Sequence, residues 1–206
     1  MSQILDILTT AIALLFVLVT HEVAHGVVAL WNGDDTAKNS GRLSLNPLKH
    51  LDLYGTLFLI VFRFGWANPV PINPNKFRNR GLGLFTVSIA GIVVNIFTAF
   101  IFMLVYFYLS THGIYLVLSL RLIIEKIIIF GISFAVFNLI PIPPLDGSRI
   151  IASLLPDKYQ NFMFKYEKYS FILLIIFFSL TRNTFLSRII SSVYEFMVNI
   201  VFNLIY

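Results

Sequence analysis

Residues Leu82–Leu109 read LGLFTVSIAGIVVNIFTAFIFMLVYFYL, an apolar run without one charged side chain. A helix needs roughly 20 apolar residues to cross a hydrocarbon core, and this stretch exceeds that. Working outward, Ile4–Leu30 has the same character, broken only by Asp6 and by the group His21, Glu22 and His25. Val117–Ile140 follows, with Arg121, Glu125 and Lys126 towards its start; Arg121 and Glu125 are spaced to pair on a helix. Beyond Pro156 lie two weaker runs, Tyr169–Leu180 and Phe185–Ile205, separated by Arg182. They read either as one tilted helix or as two spans.

Composition leads to the same class. Hydrophobic residues make up 58% of 206 positions and charged residues 12%, with a mean hydropathy of +0.85. A soluble domain carries about twice that charged share, and a core of this size could not bury such runs. The expectation is an all-α polytopic membrane bundle of about four to six membrane segments. It forms a single domain over 1–206, with a core at about 4–150 and C-terminal membrane segments at about 169–206. The N-terminal run is too long for a signal-peptide apolar region and no basic stretch precedes it, so it belongs to the mature chain. Cysteine is absent, which excludes disulfides and thiolate metal ligands. The net charge of +5 resides in loops between apolar runs, a pattern of membrane orientation rather than of nucleic-acid binding.

Leu51–Trp66 is apolar but short, interrupted by Gly55 and Arg63. Its flanks, GRLSLNP (41–47) and WANPVPINP (66–74), read as extended strands and turns. Lys38, Arg42, Lys49, Arg63, Lys76, Arg78 and Arg80 lie between the first two long runs, and Arg149, Lys158, Lys165 and Lys168 follow the third. If Leu51–Trp66 is re-entrant, all of these share one side, which the positive-inside rule makes cytoplasmic. If it crosses, they split between two sides. The re-entrant reading satisfies the rule better.

His21-Glu22-Val23-Ala24-His25 is an HExxH motif on an expected helix. Residues four apart share a face, so both imidazoles reach one metal ion with Glu22 beside it. Two neutral imidazoles suit zinc, which in a catalytic site takes three protein ligands and keeps one position open. HExxH also arises by chance. Charged groups inside a membrane helix, however, cost roughly 3 kcal/mol each on insertion scales, which makes function the default reading. Glu22 is then the general base for the attacking water.

Asp146 is the third-ligand candidate. It follows Pro141, Pro143 and Pro144 where the third long run breaks, and irregular backbone at membrane depth needs protein or water around it. The alternative is an exposed interfacial turn. Topology favours the ligand, because one crossing between the first and third runs makes them parallel and brings Asp146 to the end that carries both histidines. Asn95, mid-way along an apolar run, has two open roles: a helix–helix hydrogen bond, or a donor to substrate backbone or oxyanion. His50 and His112 have no second ligand at metal spacing and read as interfacial loop residues. A non-catalytic membrane zinc-binding or transport protein would use the same ligands but leave Glu22 without a task.

Taken together, His21–His25, Gly41–Pro47, Phe64–Asn73, Ala90-Gly91 with Asn95, and Asn138–Gly147 resemble the site-2 protease family of intramembrane zinc metalloproteases. The resemblance covers roughly residues 12–150 and is closest to the small prokaryotic form without a PDZ or CBS domain. It implies zinc, one per chain, on His21, His25 and Asp146, with Glu22 as catalytic base and Asn138 holding or unwinding the substrate. It also implies a small membrane-embedded β element beside the site. The implied activity is hydrolysis of peptide bonds in or near transmembrane segments of membrane proteins, as in regulated intramembrane proteolysis. The implied place is a prokaryotic cell membrane, with the site towards the cytoplasm. Ile92 and Ser148 depart from the family pattern, which has proline after Ala-Gly and often a second glycine after Asp-Gly.

Overall fold

The computed structural model describes residues 3–52, 68–166, 169–181 and 184–205. The described residues are helical and contain no strand. Helix α1 spans Gln3–Trp31, α2 Thr36–Asn39, α3 Arg80–Thr111, α4 Leu118–Asn138, α5 Asp146–Ser153, α6 Asp157–Tyr166, α7 Ser170–Thr181 and α8 Thr184–Ile205. Single 3-10 turns occur at Pro47–Lys49 and Pro74–Lys76.

Three of these helices, α1, α3 and α8, are long and apolar enough to cross a membrane. Helix α7 has 12 residues, and the two positions between it and α8, 182–183, lie outside the described residues. Helix α4 has 21 residues, the length of a span, but carries Arg121, Glu125 and Lys126 in its first half. Arg121 and Glu125 do pair, with Nε donating to Oε1 at 2.8 Å. Lys126 reaches the start of α1 instead, where Asp6 Oδ1 lies 2.7 Å from Nζ and the Thr9 and Thr10 hydroxyls accept as well.

Helices α1, α3 and α4 form the core, with α5 and α8 packed against it. Buried positions on α1 recur every fourth residue at Thr9, Ala13, Val17, His21, His25 and Ala29. On α3 the matching stripe is Val87, Gly91, Asn95, Ala99 and Met103. Rows at four-residue spacing are the ridges along which helices interdigitate. The opposite faces carry Ile4, Ile7, Leu8 and Ile12 on α1 and Val93, Phe97, Ile101 and Val105 on α3, all exposed. Large apolar groups turned outward in this number suit lipid rather than water. The α3 stripe meets α4 at Gly131, where an added Cβ would lie 2.9 Å from the Asn95 carbonyl oxygen.

The segments expected to be extended, 41–47 and 66–74, contain no strand among their described residues, 66–67 lying outside these. Each instead runs into a 3-10 turn capped by an Asn-Pro pair: Asn46 accepts from Leu48 N–H and Asn73 from Asn75 N–H. Asn68 N–H donates to the His50 carbonyl at 2.8 Å, which ties the second segment to the end of the first turn. The re-entrant reading of Leu51–Trp66 falls mostly on 53–67, outside the described residues. Helix α3 continues unbroken through Ile92.

Candidate active site

Helix α1 carries His21 and His25 on its buried stripe, one turn apart, so both rings face α3 rather than lipid. Their ring centroids are 4.5 Å apart, and His21 Nε2 lies 3.0 Å from His25 Nε2. Asp146 Oδ2 lies 3.3 Å from both nitrogens. All three residues are buried, and their ligand atoms lie within 4.8 Å of one another. The turn that delivers Asp146 depends on Gly147, where an added Cβ would stand 2.3 Å from the Leu139 carbonyl oxygen. Ser148, in place of the second glycine, closes the same turn by donating to the Leu145 carbonyl at 2.7 Å.

The far side of each ring is held by α3. His25 Nδ1 lies 2.7 Å from the Val87 carbonyl; a carbonyl only accepts, so Nδ1 carries the proton and Nε2 turns its lone pair to the cluster. His21 Nδ1 lies 3.1 Å from the Asn95 side-chain amide, whose Oδ1 is buried without a partner. A half-turn of that amide sets Oδ1 against Nδ1–H, which satisfies the oxygen and leaves His21 Nε2 bare as well. Gly91, between Val87 and Asn95, makes room: a Cβ there would sit 2.4–2.8 Å from His21 ring atoms.

This donor set fits a divalent cation. Two imidazole lone pairs and a carboxylate oxygen converge in a buried space, and among the described residues Asp146 Oδ2 has no hydrogen-bond donor. Uncompensated, such an array would be repulsive and costly. Nitrogen and oxygen donors, two of them imidazoles with hydrogen-bonded outer nitrogens, are a zinc-type set.

Glu22 lies beside this cluster on α1 and is partly exposed. Its Oε2 accepts from Val70 N–H at 2.8 Å, which lays segment 68–73 along the site. Three other contacts fix that segment. Arg42 donates to the carbonyls of Asn68 and Pro69, and Gly26 admits the Val70 side chain against α1. Asp34, fully buried, accepts from Asn73 N–H at 2.6 Å and from Thr36. Just beyond the segment, Lys76 pairs with Asp35 at 2.6 Å. The Lys76 ammonium holds the Asp35 carboxyl below the usual carboxylate range.

Of the residues singled out in the sequence, His21, His25, Asp146 and Asn95 come together. Asn138 does not join them by any hydrogen bond among the described residues; its amide donates to Phe134 one turn back. His50 is not an interfacial loop side chain. It is fully buried, with Nε2 2.7 Å from the Ser44 carbonyl, tying the 44–50 turn. His112 is exposed at the end of α3. Sequence reading passed over Val87 and Asp34, and gave Gly91 and Val70 no role beyond their place in the family-like motifs. The one available signal was the four-residue spacing of Val87, Gly91 and Asn95, which matches that of the two histidines.

The model for peptidase family M50 matches residues 115–181, a stretch holding Asn138 and Asp146 but not the HExxH motif. The Bacillus subtilis (strain 168) protein named "Putative zinc metalloprotease YwhC" is 41% identical over 162 residues, 77% of this chain and 74% of that protein. A comparison with solved structures gives no match. By this kinship the chain belongs to peptidase family M50, the site-2 proteases, and is a zinc metalloprotease built on membrane-type helices.

Proposed function

We propose that this metalloprotease cuts peptide bonds within or next to the transmembrane segments of other membrane proteins, the chemistry of regulated intramembrane proteolysis. One observation carries the reading: His21, His25 and Asp146 converge on the buried stripe of a helix that is long and apolar enough to cross a membrane. A substrate reaching this cluster has to come from the bilayer or its edge. Helix α4, with 21 residues, is long enough for about 30 Å of hydrocarbon, and we read it as a fourth span. The Asp6–Lys126 pair at one end and the Asp146 cluster at the other support α1 and α4 running parallel. The basic loops support a cytoplasmic position for the site.

Zinc on His21, His25 and Asp146 would act as a Lewis acid that polarises the scissile carbonyl and acidifies water. Val87 and Asn95 fix the two rings from behind, so no reorientation is needed at the moment of reaction. Glu22 removes a proton from the attacking water through Oε1, while Val70 N–H holds Oε2. As the C–N bond breaks, the same carboxyl returns a proton to the leaving amine. A helix conceals its carbonyls in hydrogen bonds, so the substrate must unwind locally; an extended segment such as 68–73 could receive it. Asn138, at the broken end of α4, is our candidate for a substrate contact.

The test is co-expression with tagged single-span membrane proteins, comparing wild type with Glu22→Gln. Fragments cut within or beside the membrane segment, made only by wild type, are expected. Equal cutting by the variant, or cleavage confined to soluble domains, would sink the proposal.

A further inference from the structure

Helix α8, Thr184–Ile205, is long and apolar enough to cross a membrane, yet its two faces differ. Leu186, Met197 and Val201 are buried in one cluster with Ala99 and Met103 of α3 and Ile124 and Ile128 of α4. On the opposite face Arg188, Ser191, Ser192, Glu195, Asn199 and Asn203 are all exposed. Steps of three and four residues stack them into one stripe along the helix. Among the described residues, none of these six side chains has a hydrogen-bond or ion-pair partner. Arg188 and Glu195 are the only charged residues of α8, and Glu195 stands midway along it.

Such a stripe does not suit lipid. Ionisable groups within a membrane segment are costly in hydrocarbon and turn towards protein or a water-filled cavity. Amides and hydroxyls at that depth bond to neighbouring helices. Arg188 stands near the start of α8, where its long stem carries the guanidinium to the headgroups. Glu195 and Asn199 lie beyond that reach, so they need a helix to face them. Charge decides which one. A second copy of this chain inserts in the same sense, so stripe against stripe would run parallel about a two-fold axis. Glu195 would then oppose Glu195, and Arg188 would oppose Arg188, an unfavourable match of like charges. A helix of different sequence escapes this. We propose that the α8 stripe is a docking surface for a transmembrane helix of another membrane protein, one that sets a lysine or arginine against Glu195. Asn199 and Asn203 offer both donors and acceptors to its polar side chains, and the exposed rings of Phe185 and Phe196 give it apolar contact at the edge.

The proposal rests on α8 crossing the bilayer and not on proteolysis, and binding is its readout. The probes are synthetic polyleucine helices about 20 residues long, with lysine, leucine or glutamate at the centre. Full-length zinc-loaded protein, labelled with a donor fluorophore through Thr111→Cys, is reconstituted into phosphatidylcholine vesicles with acceptor-labelled peptide, and energy transfer reads association. The lysine peptide is expected to bind roughly 3- to 10-fold more tightly than the leucine peptide, the scale of one polar contact between membrane helices. Glu195→Leu should abolish that preference, and Glu195→Lys should transfer it to the glutamate peptide. Equal binding of the lysine and leucine peptides overturns the proposal, as does an inserted, zinc-retaining Glu195→Leu protein that keeps the lysine preference. Energy transfer between differently labelled copies that Glu195→Leu and Asn199→Leu together remove would assign the stripe to a second copy and overturn it too. So would labelling of Asn199→Cys by a membrane-impermeant thiol reagent without peptide, which would put the stripe in water. If Glu195→Lys does not insert, Glu195→Leu decides alone.

Discussion

The backbone N–H of Val70 donates to Glu22 Oε2 at 2.8 Å, joining two residues 48 positions apart. The carboxylate beside the zinc cluster thus also holds down the segment that crosses it. These two duties separate by mutation. In Glu22→Gln the amide oxygen still accepts from Val70, whereas Glu22→Ala leaves that donor, on a residue only 5% exposed, without an acceptor. Both variants should lose proteolysis by roughly 10²-fold or more. Only Glu22→Ala should also lose stability, by about 1–3 kcal/mol, read from thermal unfolding of the zinc-loaded protein. Equal unfolding of the two variants would mean that the contact contributes nothing.

Asp34 anchors the other end of the same segment through Asn73 N–H. Asp34→Asn keeps the shape but turns one acceptor into a donor facing donors, at a cost of about 1–3 kcal/mol. Zinc should stay bound, since Asp34 touches no member of the cluster. Proteolysis should fall, because Val70 no longer holds Glu22 in place. Unchanged turnover in a measurably destabilised variant would show that segment 68–73 is not needed to orient the base.

The chemistry was legible because it is local. HExxH puts two imidazoles on one helix face whatever the rest of the chain does, and the prolines before Asp146 mark a break that only a polar interior tolerates. The membrane class was legible from Leu82–Leu109 alone. What could not be read was the tertiary environment of single side chains. His50 looks the same in sequence whether it is exposed or fully buried against the Ser44 carbonyl. Asn95 had two open roles, and its hydrogen bond to the His21 ring is the first of them, a bond between helices α3 and α1. Segments 41–46 and 68–73 have strand-like composition, yet Asn46 and Asn73 cap 3-10 turns there, a local competition that periodicity does not resolve.

The metal cluster makes a stoichiometric prediction. Purified protein should hold about one zinc per chain. Asp146→Ala should weaken binding, and the double variant His21→Ala, His25→Ala should hold none while remaining inserted. Elemental analysis of detergent-purified samples reads this directly. Full zinc retention in the double variant would place the metal elsewhere.

Behind the ligands, Gly91 and Asn95 should affect zinc without touching it. Asn95→Leu removes the partner of His21 Nδ1, and loss of such an outer contact typically lowers metal affinity by about 10–100-fold. Gly91→Ala places a methyl group into the His21 ring, at 2.4–2.8 Å from three of its atoms. The ring must move, and affinity should fall at least as far. Competition with a zinc chelator measures both. A Gly91→Ala protein with wild-type affinity would show that His21 can shift freely, contrary to the tight packing of α1 on α3.

Topology can be read by labelling, since the chain has no native cysteine. Helices α1 and α3 run antiparallel, as the contacts His25–Val87 and Phe16–Phe102 require, and α4 runs parallel to α1. One end of the bundle therefore carries Asn39, Arg78 and Lys158, and the other carries Thr111, all four exposed. Arg78 is a better position than its neighbour Asn79, whose side chain caps α3 by accepting from Leu82 N–H. Single variants Asn39→Cys, Arg78→Cys and Lys158→Cys should label with a membrane-impermeant thiol reagent from the cytoplasmic side, and Thr111→Cys only from the opposite side. The basic residues around the first three positions fix that sense. Reversed labelling of all four would leave the bundle intact and invert its orientation, moving the zinc site to the outer face. Labelling of Asn39→Cys and Arg78→Cys from opposite faces would be more damaging. It would require a crossing between α1 and α3, and two helices separated by an extra span could not be antiparallel neighbours with His25 against the Val87 carbonyl.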